Sequence, residues 1–295
     1  FWLKQLHAKL RPAAPLLCDR PAPSTPRVRP PGPHLPFAEG MSGTRDENIF
    51  MARLAEQAER YEDMVEYMKR VSGMGAELSA DERNLLSVAY KNSVGARRQA
   101  WRAVNTLEQR EAAKGPAILE LIRTYRAKVE KELNVSCRSV LEILDRDLLT
   151  KASNAEAKVF YNKMKGDYNR YLAEFATVEG HSRLAQEAHD SYKSASEIAI
   201  AELPPTHPVR LGLALNFSVF YYEVYSSPET ACMLAKAAFD DAMNVMDNLD
   251  EEQFKDSAQI MQLLRDNLSL WTADMQQSAD NNNAPEQDGT NIEDL

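Results

Sequence analysis

From Arg45 to about Trp271, apolar residues recur at intervals of three and four with hardly any two-residue alternation, the period of helices that pack by one face. The pattern predicts an all-α chain without strands. Helix starts divide it. Ser79 with Glu82, Ser153 with Glu156 and Asp250 with Gln253 have capping-box spacing, while Thr206-His207-Pro208 and Ser227-Pro228 set a cap before an early-turn proline. Gly115-Pro116 separates two long helices. The segments between breaks number about nine, and their short connections predict antiparallel hairpins.

The periodicity is missing at both ends. Residues 1–40 hold nine of the fifteen prolines and six Lys/Arg against two acids, a net of +4 that leaves −13 for the rest of a chain whose formal charge is −9. Pro30-Pro31-Gly32-Pro33 cannot propagate a helix, so this basic extension is expected to be disordered and dispensable. Met41-Ser42-Gly43 reads as a start, with residues 1–40 as upstream sequence, a targeting extension or an expression artefact. Residues 272–295 carry six acids, three consecutive asparagines and no Lys or Arg, and are expected to form an acidic disordered tail that competes weakly for any cationic groove.

Composition narrows the function. With 44% hydrophobic and 27% charged residues, the 295-residue chain can bury a substantial core. Its acidity argues against nucleic acid as a partner. Cys18, Cys137 and Cys232 are far apart and lack CxxC or Cys/His spacing, which points away from a metal site or disulfide framework and toward a reducing cytoplasmic or nuclear location. No apolar run approaches the 18 or so residues of a membrane span, so no membrane insertion is expected.

Against that acidic background, Lys91, Gly95, Arg98 and Arg102 lie at i, i+4, i+7 and i+11, and Lys163, Asp167, Arg170 and Tyr171 at i, i+4, i+7 and i+8. If the two faces meet, they build a cationic pocket. Charged stripes are commonly solvated surfaces whose ion pairs contribute only about 0.3–0.5 kcal/mol each. Asn216 and Asn267 each interrupt an apolar stripe. Such amides are either core groups satisfied by a neighbouring helix or grips for a backbone from outside.

Four ordered blocks carry a resemblance: Arg83 to Asn92 (RNLLSVAYKN), Lys163 to Tyr168 (KMKGDY), Arg210 to Glu223 (RLGLALNFSVFYYE) and Met261 to Leu268 (MQLLRDNL). Together they resemble the 14-3-3 family, whose domain would cover residues 41–271. The resemblance implies nine antiparallel helices per subunit and a cup-shaped dimer with an amphipathic groove in each half. It implies a non-enzymatic adaptor, with no cofactor, that binds phosphoserine and phosphothreonine motifs in client proteins. Lys91, Arg98 and Arg170 would hold the phosphate, Tyr171 would donate its hydroxyl, and Asn216 and Asn267 would grip the peptide backbone. Leu215, Val219, Ile260, Leu263 and Leu270 would form the apolar wall, with Lys163, Glu223 and Trp271 adding contacts. Asn169 stands where relatives often carry an aromatic residue or His, a change expected to adjust the pocket rim. Three cations held together are expected to repel when empty, so that a phosphate dianion relieves strain as it binds.

The resemblance also places a homo- or heterodimer interface in the first four helices. Leu54, Ala58 and Tyr125 would pack there, with Arg60 to Glu132 and Asp63 to Lys128 as pairs across subunits; from spacing alone, each charged residue reads first as an ordinary surface group, because exposed pairs contribute little. Ala100 replaces the serine that relatives often carry before the interface tryptophan, here Trp101, so that phosphorylation route should be absent. Ser227 matches another family phosphosite and also reads as a helix N-cap. No Gly-rich loop, HExxH or paired acid/base signature supports an enzyme, and His181 and His189 read as surface groups. The helical run Ala231 to Phe239 evokes a tetratricopeptide solenoid, but no 34-residue period recurs.

Overall fold

The computed structural model describes residues 43–282; the expectations for residues 1–40 lie outside it. Among the described residues there are nine α-helices and no strand. They are α1 (Arg45–Gln57), α2 (Tyr61–Gly73), α3 (Ala80–Arg110), α4 (Pro116–Ile143), α5 (Ala155–Ala173), α6 (Val178–Glu202), α7 (Pro208–Glu223), α8 (Pro228–Met243) and α9 (Glu251–Asn282). α1 packs on α2, α3 on α4, α5 on α6, and α7 on α8. α7 also touches α5, α6 and α9, so it joins the two ends of the array.

The start signals act through the backbone groups they satisfy. Thr44 with Glu47 and Ser79 with Glu82 form full capping boxes, and Arg45 donates to Glu82, tying the first turn of α1 to that of α3. Gly115, at φ 101°, takes a left-handed turn that a side chain would strain, and Pro116 then opens α4. The His207 ring accepts from the Val209 amide at 3.2 Å, and Pro208 occupies the first turn of α7.

Other signals are used differently. Asn154, not Ser153, caps α5, with its side chain accepting from the Ala157 amide at 2.8 Å. Glu156 is drawn away from the expected capping box because the Arg83 guanidinium donates to it at 2.7 Å. Asp250 accepts from the Gln253 amide at 2.8 Å. Ser227 caps nothing with its side chain; its hydroxyl donates to Thr230 at 2.8 Å. The expected tail is helical as far as Asn282, because α9 runs past Trp271 and Tyr222 on α7 donates to Asp274 at 2.6 Å.

Three clusters of buried apolar side chains hold the array. One spans α1 to α5 around Met64, Leu86, Leu133 and Tyr161, one lies under α7 to α9 around Leu211, Leu264 and Trp271, and the third joins α5, α6 and α7 through Val159, Tyr192 and Phe220. The polar face of α5 therefore sits where two cores adjoin. That position fixes the charged side chains described next.

Candidate functional site

α3 supplies Lys91, Arg98 and Arg102, and α5 supplies Lys163, Asp167, Arg170 and Tyr171, with Glu174 at its C-cap. The Arg98 guanidinium carbon lies 3.9 Å from the centre of the Tyr171 ring and that of Arg170 lies 4.8 Å from it, so the two helix faces do meet. Cation–π attraction holds both arginines against one phenol. Beside them lies a cleft of about 370 Å³, bordered by Arg98, Arg102, Arg170, Glu174, His181 and Glu223. His181 thus lines the cleft, and His189 sits in an aromatic cluster with Phe217 and Tyr225, its Nε2 3.2 Å from the Tyr221 hydroxyl. Neither is the plain surface group that spacing suggested.

The arginines are not left to repel one another. Glu174 accepts from Nε of Arg98 at 2.8 Å and from Nε of Arg102 at 2.5 Å. Arg170 donates to Glu223 at 3.1 Å and to the Tyr192 hydroxyl at 3.3 Å. The expectation of a strained, unneutralised cluster is therefore corrected: carboxylates built into the fold offset the guanidinium charges before any ligand arrives. Burial alone would pull the Arg170 pKa down, but Tyr192, Tyr171, Asp167 and Glu223 outweigh it and hold the group charged.

Asp167 is the hub. Its carboxylate is fully buried in the fold and accepts from Lys163 at 2.9 Å, Tyr192 at 2.5 Å and Asn216 at 2.7 Å, with Arg170 at 3.7 Å. Burial would raise its pKa, but Lys163, Arg170 and the Tyr192 hydrogen bond bring it below the usual carboxylate value. Gly166 makes this closeness possible, since a Cβ there would lie 2.7 Å from the Tyr192 ring. Asn216 is thus oriented by a neighbouring helix: its amide nitrogen is committed to Asp167, and its oxygen is the end suited to accept a peptide N–H.

Lys91 faces Lys163 and Asp167. Burial pushes its pKa down to about 8, Lys163 adds to the fall and Asp167 opposes it. The charged form is disfavoured in the folded chain, so its cost to stability is present below about pH 8 and is relieved as pH rises toward the ordinary 10.5. If the pocket holds a phosphate, as the resemblance implies, that group would reverse the preference, and it carries its second charge only above a pKa of about 6. Phosphopeptide affinity is expected to be greatest between about pH 6 and 8 and to weaken on both sides, with Lys91→Arg abolishing the alkaline limb. Titrations across pH 5.5 to about 9.5 check this, and an alkaline limb that persists in Lys91→Arg contradicts it.

The apolar side runs along α7 and α9. Leu215 is buried, Val219, Ile260, Leu263 and Asn267 are half-buried, and Leu270 is exposed. Trp271 is buried against Tyr222, with ring centres 5.0 Å apart and planes 16° off parallel, so it stiffens the seam between α7 and α9. Asn169 is buried with an unpartnered Oδ1 and does not form the pocket rim. Pattern reading passed over Tyr192 and Glu174. Glu174 follows Arg170 by four residues, but its partners lie on α3, which spacing along α5 cannot reveal.

Comparison with known proteins agrees with this geometry. Residues 51–272 match the model of the 14-3-3 protein family. The chain is 60% identical to the 14-3-3 protein epsilon of Drosophila melanogaster over 233 residues, covering 79% of this chain and 89% of that protein. It is 59% identical to the checkpoint signal transducer rad24 of Schizosaccharomyces pombe, covering 80% of this chain and 88% of rad24. It is 58% identical to protein BMH2 of Saccharomyces cerevisiae, covering 81% of this chain and 88% of BMH2. With nine helices among the described residues, a paired-arginine cleft lined from four of them, and a family match over most of its length, the chain belongs to the 14-3-3 family.

Proposed function

We propose that this chain reads phosphoserine and phosphothreonine in client proteins through Lys91, Arg98 and Arg170, with Tyr171 adding its hydroxyl. Asn216 and Asn267 hold the peptide backbone on either side of the phosphate, and Leu215, Val219, Ile260, Leu263 and Leu270 receive its side chains. The role of phosphopeptide-binding adaptor in signalling comes with the family, which is one of non-enzymatic adaptors. The observation that carries the site assignment is the placement of Arg98 and Arg170 over one tyrosine ring at the edge of an open cleft. A tetrahedral dianion fits there because each guanidinium presents several N–H donors to its oxygens.

A second copy of the chain, or another family member, is the proposed partner of the exposed apolar residues on α1 and α4. Leu54 and Tyr125 are 47% and 55% exposed, beside Phe50 and Leu121 at 65% and 68%, a set of large apolar groups that a second copy would cover. Within one chain Arg60 donates to Asp63 and Arg97 lies 3.7 Å from Glu132. Pairing of Arg60 with Glu132 and of Asp63 with Lys128 in the dimer would exchange these partners, and Ala58 would pack beside them. Two linked grooves would strengthen binding of a doubly phosphorylated client by about 10²–10⁴-fold. The proposed location is the cytoplasm and nucleus; among the described residues, no helix is long and apolar enough to cross a membrane.

A peptide array tests the ligand class. Each peptide is presented with serine, phosphoserine or glutamate at one position. Phosphoserine is expected to bind, and glutamate to bind little better than serine, because one planar carboxylate brings less charge and fewer acceptors than a phosphate. Equal retention of all three would refute the reading.

A further inference from the structure

We infer that Glu174 is a positioning residue that aims Arg98 at the phosphate by clamping its Nε, with Arg102 closing the other side of the carboxylate. The inference rests on the phosphate-reading role proposed above. Three observations carry it. First, both bonds to Glu174 come from Nε atoms, Arg98 to Oε2 at 2.8 Å and Arg102 to Oε1 at 2.5 Å. The terminal nitrogens of Arg98 are not spent on this carboxylate, and they form the edge that matches two phosphate oxygens. Second, the Arg98 guanidinium lies 3.9 Å from the centre of the Tyr171 ring, which restricts rotation about the remaining bonds. Third, Glu174 is the C-terminal cap of α5, where the helix dipole disfavours an anion. The two guanidiniums offset that unfavourable placement, so the carboxylate and the arginines hold one another.

Two effects of Glu174 on an incoming phosphate oppose each other. Its charge repels a dianion, but two guanidiniums already share it, leaving the trio with a net charge of +1 and the repulsion reduced. Its clamp removes rotamer freedom from Arg98 before binding, a cost the ligand would otherwise meet. Ordering outweighs repulsion because the Glu174 charge is already shared by two guanidiniums, while the clamp on Arg98, both partners being only about one-fifth exposed, stays strong.

The test uses the full chain, a monophosphoserine peptide and its unphosphorylated counterpart. Glu174→Gln is expected to weaken phosphopeptide binding about tenfold by calorimetry, while circular dichroism stays that of the wild type. In the wild type, the side-chain Nε–H resonance of Arg98 in nitrogen–proton NMR spectra is expected to keep its carboxylate-bonded shift at peptide saturation. Unchanged or tighter binding by Glu174→Gln overturns the inference. So does loss of that shift at saturation, which would mean that phosphate displaces Glu174. Should Glu174→Gln fail to fold, the wild-type spectrum decides alone. If the wild type binds both peptides equally, the phosphate-reading role itself has failed; if it discriminates and Glu174→Gln is no weaker, only the clamp has.

Discussion

Lys91→Glu is expected to reduce phosphopeptide affinity below detection while leaving the helical content intact. The substitution removes one of the three proposed phosphate ligands and places a carboxylate beside a group carrying about −1.5 to −2 charges. Two unit charges 4 Å apart at an effective dielectric of about 20 interact by about 4 kcal/mol, and reversing the sign of such a contact exceeds the tenfold change that 1.4 kcal/mol brings. The fold has less to lose. Lys91 in its charged form is opposed by burial and by Lys163 and favoured by Asp167, so its charge adds little to the fold, and Lys163 offsets the repulsion between the new carboxylate and Asp167. Calorimetry and circular dichroism on the same preparation separate the two effects. Full affinity in a correctly folded Lys91→Glu chain would remove Lys91 from the site.

The largest effect on stability is expected from Asp167→Ala. Its carboxylate accepts from Lys163, Tyr192 and Asn216 in a setting where Arg170 is also within 3.7 Å. Deleting it leaves two cations without their shared anion and removes acceptors from buried donors, a change that costs about 3–5 kcal/mol. Denaturant unfolding should show this, with Asp167→Asn losing less because its amide oxygen still accepts. The depressed pKa of Asp167 sets the pH dependence: its contribution is fully present above the unfolded carboxylate value of about 3.9 and is lost as pH falls through the folded value. A loss below about 1 kcal/mol for Asp167→Ala would show that the hub is not what holds these helices in register.

Much of the architecture is legible in the periodicity, and the reason is local. An apolar residue every third or fourth position commits one helix face to a core whatever the partner, and the caps at Ser79 and His207 act within a few residues of themselves. Ser153 illustrates the limit. Its expected partner Glu156 is taken by Arg83, 73 positions earlier in the chain, and Asn154 caps α5 instead. The same limit applies at the pocket. Spacing shows Arg98 and Arg170 on two cationic faces, but it cannot show that Glu174 turns to α3 or that Glu223 reaches α5 from α7. A site that reads as three repelling cations is, once folded, a set of cations partly offset by carboxylates from two helices, α5 and α7.

That arrangement bears on specificity. An incoming anion meets guanidiniums whose charge is already partly offset, so a single carboxylate on a peptide would gain little there, while a phosphate would gain more through its greater charge and additional acceptor oxygens. In the proposed groove, Asn216, turned by Asp167 so that its oxygen is presented, and Asn267 on α9 would serve any peptide backbone, while exposed Leu270 and half-buried Val219 and Leu263 would accommodate varied side chains. One groove can in this way accept many sequences while requiring the phosphate.

The most direct test is a calorimetric titration of the chain with a monophosphorylated peptide, repeated with the same peptide after phosphatase treatment. The phosphate-reading account predicts saturable binding in the first titration and none measurable in the second. Equal heats and equal affinity in the two would contradict it.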